Sequence, residues 1–168
     1  MEKLWSPWRS KYIESFKSDE DTSKCIFCGM LDLNPNDINN LVIDKGKHTI
    51  TVLNLYPYNN GHLMIVPKRH TNDFAGLNEN EISESFQKLQ FAEKALRKVL
   101  NPQGFNIGAN IGRIAGAGIE DHIHFHIVPR WNGDSNFMPV IGDVKVISQD
   151  LADTKSKLLE VYSSLINT

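Results

Sequence analysis

The stretch His122-Ile123-His124-Phe125-His126 sets three imidazoles and two large apolar side chains in strict alternation. Successive side chains of a strand point to opposite faces, so this period puts all three histidines on one face and Ile123, Phe125 and Ile127 on the other, toward a core. Neighbouring imidazoles are then expected roughly 7 Å apart, two residue rises. Val128-Pro129 is expected to close the strand, because proline cannot continue an interior ladder. Imidazole titrates near neutrality, so a row of three supplies a nucleophile or base, an acid and an orienting group, or else three metal ligands. That face is the candidate active site; the bland alternative is a half-buried strand whose polar face is rich in histidine.

Upstream of this strand, Phe105, Ile107 and Ala109 alternate in the same way, and the run Gly108 to Gly118 between them holds four glycines. The two strands are expected to pair as a hairpin. Further back, Leu41 to Asp44 and His48 to Leu53 flank the turn Lys45-Gly46-Lys47, and His62 to Pro67 reads as a third, buried strand. Between the third strand and Phe105 the period changes to helical. Asn78 and Glu81 form a capping signature, Ile82, Phe86, Leu89, Leu96 and Leu100 make one stripe, and Asn101-Pro102 stops it. At the ends, Ser6-Pro7 opens a short amphipathic helix carrying Trp5, Trp8, Tyr12 and Phe16. Trp131 to Pro139 reads as loop, Val140 to Ile147 as a further strand, and Gln149 to Ile166 as a closing helix with Leu151, Leu158, Tyr162 and Leu165 on one side. Strands interrupted by one long helix predict an α+β fold with an antiparallel sheet.

With 168 residues, 40% hydrophobic and 23% charged, the chain is expected to form a single domain, residues 1–24 and 131–168 being extensions of it. A formal charge of −2 argues against a partner as long and anionic as a nucleic acid duplex. No segment approaches the ~18 apolar residues that a membrane span requires. The stretch Met1 to Arg9 has no apolar core of a secretory signal, so a cytoplasmic location is expected.

The pattern His-apolar-His-apolar-His-apolar-apolar, His122 through Val128, resembles the signature of the histidine triad family of nucleotide hydrolases and transferases. Asn54, Gly61-His62, Pro67-Lys68-Arg69-His70 and Pro129-Arg130 are similar to that family as well. The continuation Trp131 to Phe137 resembles the branch of bacterial diadenosine tetraphosphate phosphorylases. The resemblance implies a five-stranded antiparallel sheet, a homodimer, and a nucleotide substrate bound in a cleft. It implies that His124 is the nucleophile, that His126 contacts the transferred phosphoryl group, that His122 and His62 orient the triad, and that Asn54 meets the ribose hydroxyls.

Neutral imidazole is a competent nucleophile if its Nδ1–H is tied to an acceptor such as a backbone carbonyl, leaving the Nε2 lone pair to face phosphorus. Asn110, Gly112, Arg113, Gly116 and Gly118 form a candidate phosphate loop, although glycines between paired strands are as often only a wide turn. Many members carry Gln and then Ser or Thr where this chain has Gly118 and Ile119. That change puts the family's usual leaving-group contacts in doubt, and the nearby Glu120 and Asp121 would repel a polyphosphate unless they point away.

Cys25 and Cys28 are the only cysteines, spaced as half of a tetrahedral zinc site. By the family resemblance, His70 and His122 would complete a structural zinc centre; a redox dithiol and a pair of inert thiols are the other readings. Three functions therefore compete: a nucleotidyl-transferring enzyme cleaving dinucleoside polyphosphates or related phosphoanhydrides and phosphoramidates, a zinc-dependent metalloenzyme built on the three-histidine strand, and a non-catalytic nucleotide sensor. Geometry weighs against the second, because alternating residues on one straight strand rarely converge on a single ion.

Overall fold

The computed structural model describes residues 25–134 and 149–166. A four-residue helix α1 (Ile26–Gly29) comes first, followed by strands β1 (Val42–Lys45), β2 (Thr49–Leu53) and β3 (Leu63–Pro67). Helix α2 (Glu79–Leu100), strands β4 (Gly104–Gly108) and β5 (Phe125–Arg130), and helix α3 (Leu151–Ile166) complete the order. All strand pairings are antiparallel, in the sheet order β1-β2-β3-β5-β4. The expected α+β class, hairpins and long helix are all present. The predicted helix around Ser6-Pro7 and the strand Val140–Ile147 lie outside the described residues.

The sheet has apolar side chains on both faces, each covered differently. Ile65, Phe125 and Ile127 on one face pack with Leu89, Ala92, Ala95 and Leu96 of α2 and Leu158 and Tyr162 of α3. The other face carries a smaller cluster of Val52, Met64 and Val66 beneath Phe27 and Met30 of the α1 segment. The histidines share that second face, since His126 is the register partner of Met64.

Helix α2 begins as its sequence requires: the Asn78 side chain accepts from the Glu81 amide and the Glu81 carboxylate accepts from the Asn78 amide. A cap of this kind contributes about 1 kcal/mol. Glu81 also receives two hydrogen bonds from Arg69, tying the helix start to the segment that carries His70. The stripe along α2 is narrower than expected. Leu89 and Leu96 are buried, but Ile82 is 43% and Phe86 58% exposed. Among the described residues β1 and β4 are the edge strands of the sheet.

Gly61 has φ +73°, and a Cβ there would lie 2.4 Å from Leu100 Cδ1. Only glycine lets the chain turn against the end of α2 and deliver His62 to the sheet. Strand β5 also differs from its prediction, starting at Phe125 and running through Pro129 to Arg130. Pairing with β3 stops at Ile127, so Pro129 faces a neighbour only on the β4 side and breaks no second ladder. At the far end Lys155, 1% exposed, donates to the carbonyls of Asp37 and Asn40, which fastens α3 to the loop before β1.

Candidate functional site

His122 and His124 precede β5, and His126 lies within it, all three less than 10% exposed. The alternation holds through this lead-in: Ile123 and Phe125 enter the larger core while the imidazoles turn to the opposite face. Their spacing is closer than a straight strand gives, the rings of His124 and His126 having centroids 4.8 Å apart and an interplanar angle of 75°. Phe27 sits against two of the three, 5.5 Å from the His122 ring and 5.0 Å from that of His124. The rings approach by tilting, which χ rotation permits without any change of backbone.

The hydrogen-bond partners fix every triad tautomer. Nδ1 of His124 lies 2.8 Å from the carbonyl oxygen of His122, an atom that only accepts, so Nδ1 carries the proton and the lone pair is on Nε2. Nε2 of His122 likewise donates to the carbonyl of Pro67 at 2.7 Å, leaving the lone pair on Nδ1. For His126 the logic runs through His62. The Tyr58 amide donates to His62 Nδ1 at 3.0 Å, so the neutral His62 ring has its proton on Nε2, which lies 2.9 Å from His126 Nδ1. His126 is therefore an acceptor at Nδ1 and a donor at Nε2, and that Nε2 is buried with no hydrogen-bond partner among the described residues. Burial lowers the pKa of all three triad rings, opposed at His122 and His124 by their carbonyl bonds, and it brings His126 to about 4. The row is neutral at pH 7, with a lone pair at His124 Nε2 beside a donor at His126 Nε2.

His62 was expected to orient the triad, and its contact is with His126. Asn54 lies beside it, Nδ2 being 3.2 Å from His62 Nδ1, with its Oδ1 accepting from the Tyr56 amide. In the glycine loop, Arg113–Ala115 forms a 3-10 turn bracketed by Gly112 (φ 81°) and Gly116 (φ 95°). Asn110 reaches back to the Gly116 carbonyl at 3.5 Å. Gly112, Arg113, Gly116 and Gly118 are all exposed, and no hydrogen bond described here joins the loop to the triad. At the positions where the sequence departs from the family pattern, Ile119 packs against the cluster of Phe27 and Met64, while Glu120 and Asp121 are exposed.

The four candidate metal ligands converge. Nδ1 of His122 lies 3.2 Å from Cys25 Sγ and 3.7 Å from Cys28 Sγ, and Nδ1 of His70 is 3.4 Å from Cys28 Sγ. All four ligand atoms fall within 4.8 Å of one another. Tetrahedral zinc bonds of roughly 2.0–2.3 Å set ligand atoms about 3.3–3.8 Å apart, so the donor set fits the ion in type and the three pairs at 3.2–3.7 Å lie close to its spacing. The Pro67 carbonyl on His122 Nε2 is the outer contact that turns the correct nitrogen inward. The three triad rings, by contrast, are committed to three different partners and do not converge on one ion.

Sequence reading missed Tyr58, whose amide sets the His62 tautomer and whose ring lies 4.8 Å from the His62 ring and 5.8 Å from that of His126. It missed Phe27 as well. Phe27 carried a signal, being the apolar residue inside the cysteine pair; Tyr58 sits in an irregular loop whose pattern announces nothing.

A five-stranded antiparallel sheet with a row of tautomer-fixed imidazoles along one strand defines the histidine triad class. The HIT domain model matches residues 36–133, and the chain belongs to that family. It is 40% identical over 161 residues to the AP-4-A phosphorylase of Mycobacterium tuberculosis, covering 94% of this chain and 83% of that one. It is 29% identical over 108 residues to the adenosine 5'-monophosphoramidase hnt1 of Schizosaccharomyces pombe, covering 64% and 75%. Among solved structures, a Zn-bound histidine triad family protein from Mycobacterium smegmatis superposes with a TM-score of 0.68 at 25% identity, over 86% of this chain and 96% of that one.

Proposed function

We propose that this protein cleaves dinucleoside polyphosphates such as diadenosine tetraphosphate through a covalent nucleotidyl-His124, with inorganic phosphate as the acceptor. The observation that carries this reading is the bond from His124 Nδ1 to the His122 carbonyl, which leaves the Nε2 lone pair as the nucleophile. That lone pair attacks the α-phosphorus. The P–N bond forms as the bond to the bridging oxygen breaks, and ATP leaves. A phosphate oxygen then attacks the same phosphorus, the P–N bond breaks, ADP leaves, and the lone pair returns to Nε2. His126 Nε2–H donates to the phosphoryl oxygens as charge moves onto them, held in that tautomer by His62. Asn54 meets the ribose hydroxyls, and Asn110, Gly112, Arg113, Gly116 and Gly118 cradle the phosphate chain, the positive φ of Gly112 and Gly116 suiting a loop whose amides face an anion.

The identity with the mycobacterial phosphorylase supports phosphate rather than water as acceptor. Incubation with diadenosine tetraphosphate and phosphate should give ADP plus ATP. AMP plus ATP would refute the choice of acceptor, and binding without turnover would make the protein a sensor.

We further infer that Cys25, Cys28, His70 and His122 hold a structural zinc ion, supported by the donor spacing and by the Zn-bound neighbour. Four protein ligands close its coordination sphere, so when bound it supplies rigidity and no open position for chemistry. The reducing cytoplasm suits free thiols of this kind. A homodimer of single-domain chains, with 1–24 and 131–168 as extensions, accounts for the edge of β4 that is unpaired among the described residues and for Phe74, Ile82, Phe86 and Ile107, each at least 43% exposed. Light scattering should give twice the 19.0 kDa chain mass; a monomer at micromolar concentration would contradict it.

A further inference from the structure

The face that carries the triad continues beyond it. Val128 and Arg130 follow His126 at the strand period, so they point to the same side, and Asn106 of β4 is the register partner of Val128. Together with Tyr58, Asn59 and Asp134 they line a cavity of about 180 Å³. We infer that this cavity is the subsite for the purine base of the second nucleoside, the one that departs with the leaving group; this rests on the dinucleoside polyphosphate reading above.

Charge decides between a base and the phosphate chain itself. Arg130 is the only cation lining the cavity among the described residues, and its Nε and Nη2 are both taken by the Asp134 carboxylate at 2.7 Å. That arginine holds the Asp134 carboxyl well below the usual carboxylate range, so the pair stays ionised and locally neutral. Phosphate gains little from an arginine already paired, and the neighbouring carboxylate repels it. A neutral heteroaromatic ring pays no such penalty.

The remaining lining suits a ring. Tyr58 is 51% exposed, and its ring is tilted against the His62 and His126 imidazoles, at interplanar angles of 34° and 33° with centroids 4.8 Å and 5.8 Å away. It thus extends the histidine row as an aromatic platform into the cavity, and stacking of this kind is tolerant of which purine is present. Asn106 accepts from Arg130 Nη1 at 2.8 Å, which fixes the carboxamide with its oxygen toward the arginine. Its Nδ2 hydrogens have no partner among the described residues, and they meet the ring-nitrogen acceptors that every purine carries. Position agrees as well. Val128 stands four residues beyond His124, about 13 Å along the strand. A second nucleoside, set apart from the α-phosphorus by three further phosphates and a ribose, needs a site at such a remove.

Adenosine 5'-tetraphosphate has the same phosphate chain and no second nucleoside, which makes it the control. Steady-state kinetics of the wild type should show a lower KM for diadenosine tetraphosphate than for this analogue, by about five-fold or more for one hydrogen bond and one stack. Asn106→Ala should raise KM for diadenosine tetraphosphate by about five-fold, with kcat unchanged, and should leave kcat/KM for the analogue within two-fold. Equal effects on both substrates, or on neither, would overturn the subsite while the nucleotidyl reading stands. Turnover of neither substrate by the wild type would overturn both.

Discussion

The backbone carbonyl of His122 holds His124 by its Nδ1–H at 2.8 Å, while the side chain of His122 turns its own Nδ1 to the two cysteines. One residue thus serves two centres: its main chain sets the tautomer of His124, the proposed nucleophile, and its ring belongs to the cluster of four candidate ligands. His124→Ala removes the proposed nucleophile together with a ring that packs against Phe27, so folding of the variant is checked by its melting curve. Turnover should fall by at least about 10³-fold, with nucleotide affinity kept within a few-fold. Single-turnover assays with labelled substrate check this, and wild-type rates in a folded variant would remove His124 from its role.

The relay from the Tyr58 amide through His62 to His126 makes a separate demand. His62→Ala frees His126 Nδ1, so the proton no longer has to sit on Nε2, and the donor facing the phosphoryl group is lost from part of the population. A fall in kcat of about 10²-fold is expected with KM little altered, the scale on which a mispositioned acid or base acts. A change confined to KM would mean that His62 binds substrate rather than orienting His126.

Burial sets the pH window. His126 titrates near 4 in the folded protein against 6.5 in an unfolded chain. Below pH 6.5 the unfolded chain takes up a proton that the native ring refuses until about pH 4, so this group's contribution to stability is full above 6.5 and is lost as pH falls toward 4. The loss is about 3 kcal/mol. Denaturant melts at pH 7.5 and 4.5 should differ accordingly, and His126→Gln should remove that part of the difference; an unchanged slope in the variant would refute the assignment.

Much of this was legible because period two and period 3.6 are written by the same apolar residues that build the core. His122 to His126 announced which face carries the imidazoles, and Asn78 with Glu81 announced where α2 begins. What escaped was three-dimensional. Ile82 and Phe86 fit the helical stripe, yet they are 43% and 58% exposed, and a one-dimensional period does not say how much of a stripe the sheet will cover. Pro129 was taken as a strand end because the sequence does not say that β3 has already stopped at Ile127. The ring tilt that brings His124 and His126 to 4.8 Å belongs to side-chain torsions, which spacing along a strand leaves free.

The cysteine cluster yields the last expectation. Cys25 and Cys28 lie in the segment that carries Phe27 over His122 and His124, whereas His70 follows β3 and His122 precedes β5. A zinc ion at the four donors joins that segment to the sheet, closing chain loops of 42 and 97 residues between the bonded positions. Metal analysis of purified protein should find close to one zinc per chain, and none in the Cys25→Ala, Cys28→Ala double variant. Loss of the ion should lower the melting temperature by about 5–10 °C, as removal of a few kcal/mol does in a domain of this size. Wild-type zinc content in the double variant would place the ion elsewhere. Full activity and an unchanged melting curve after chelation would mean that Phe27 holds its position without metal, and the cysteines would then be two reduced thiols packed beside the triad.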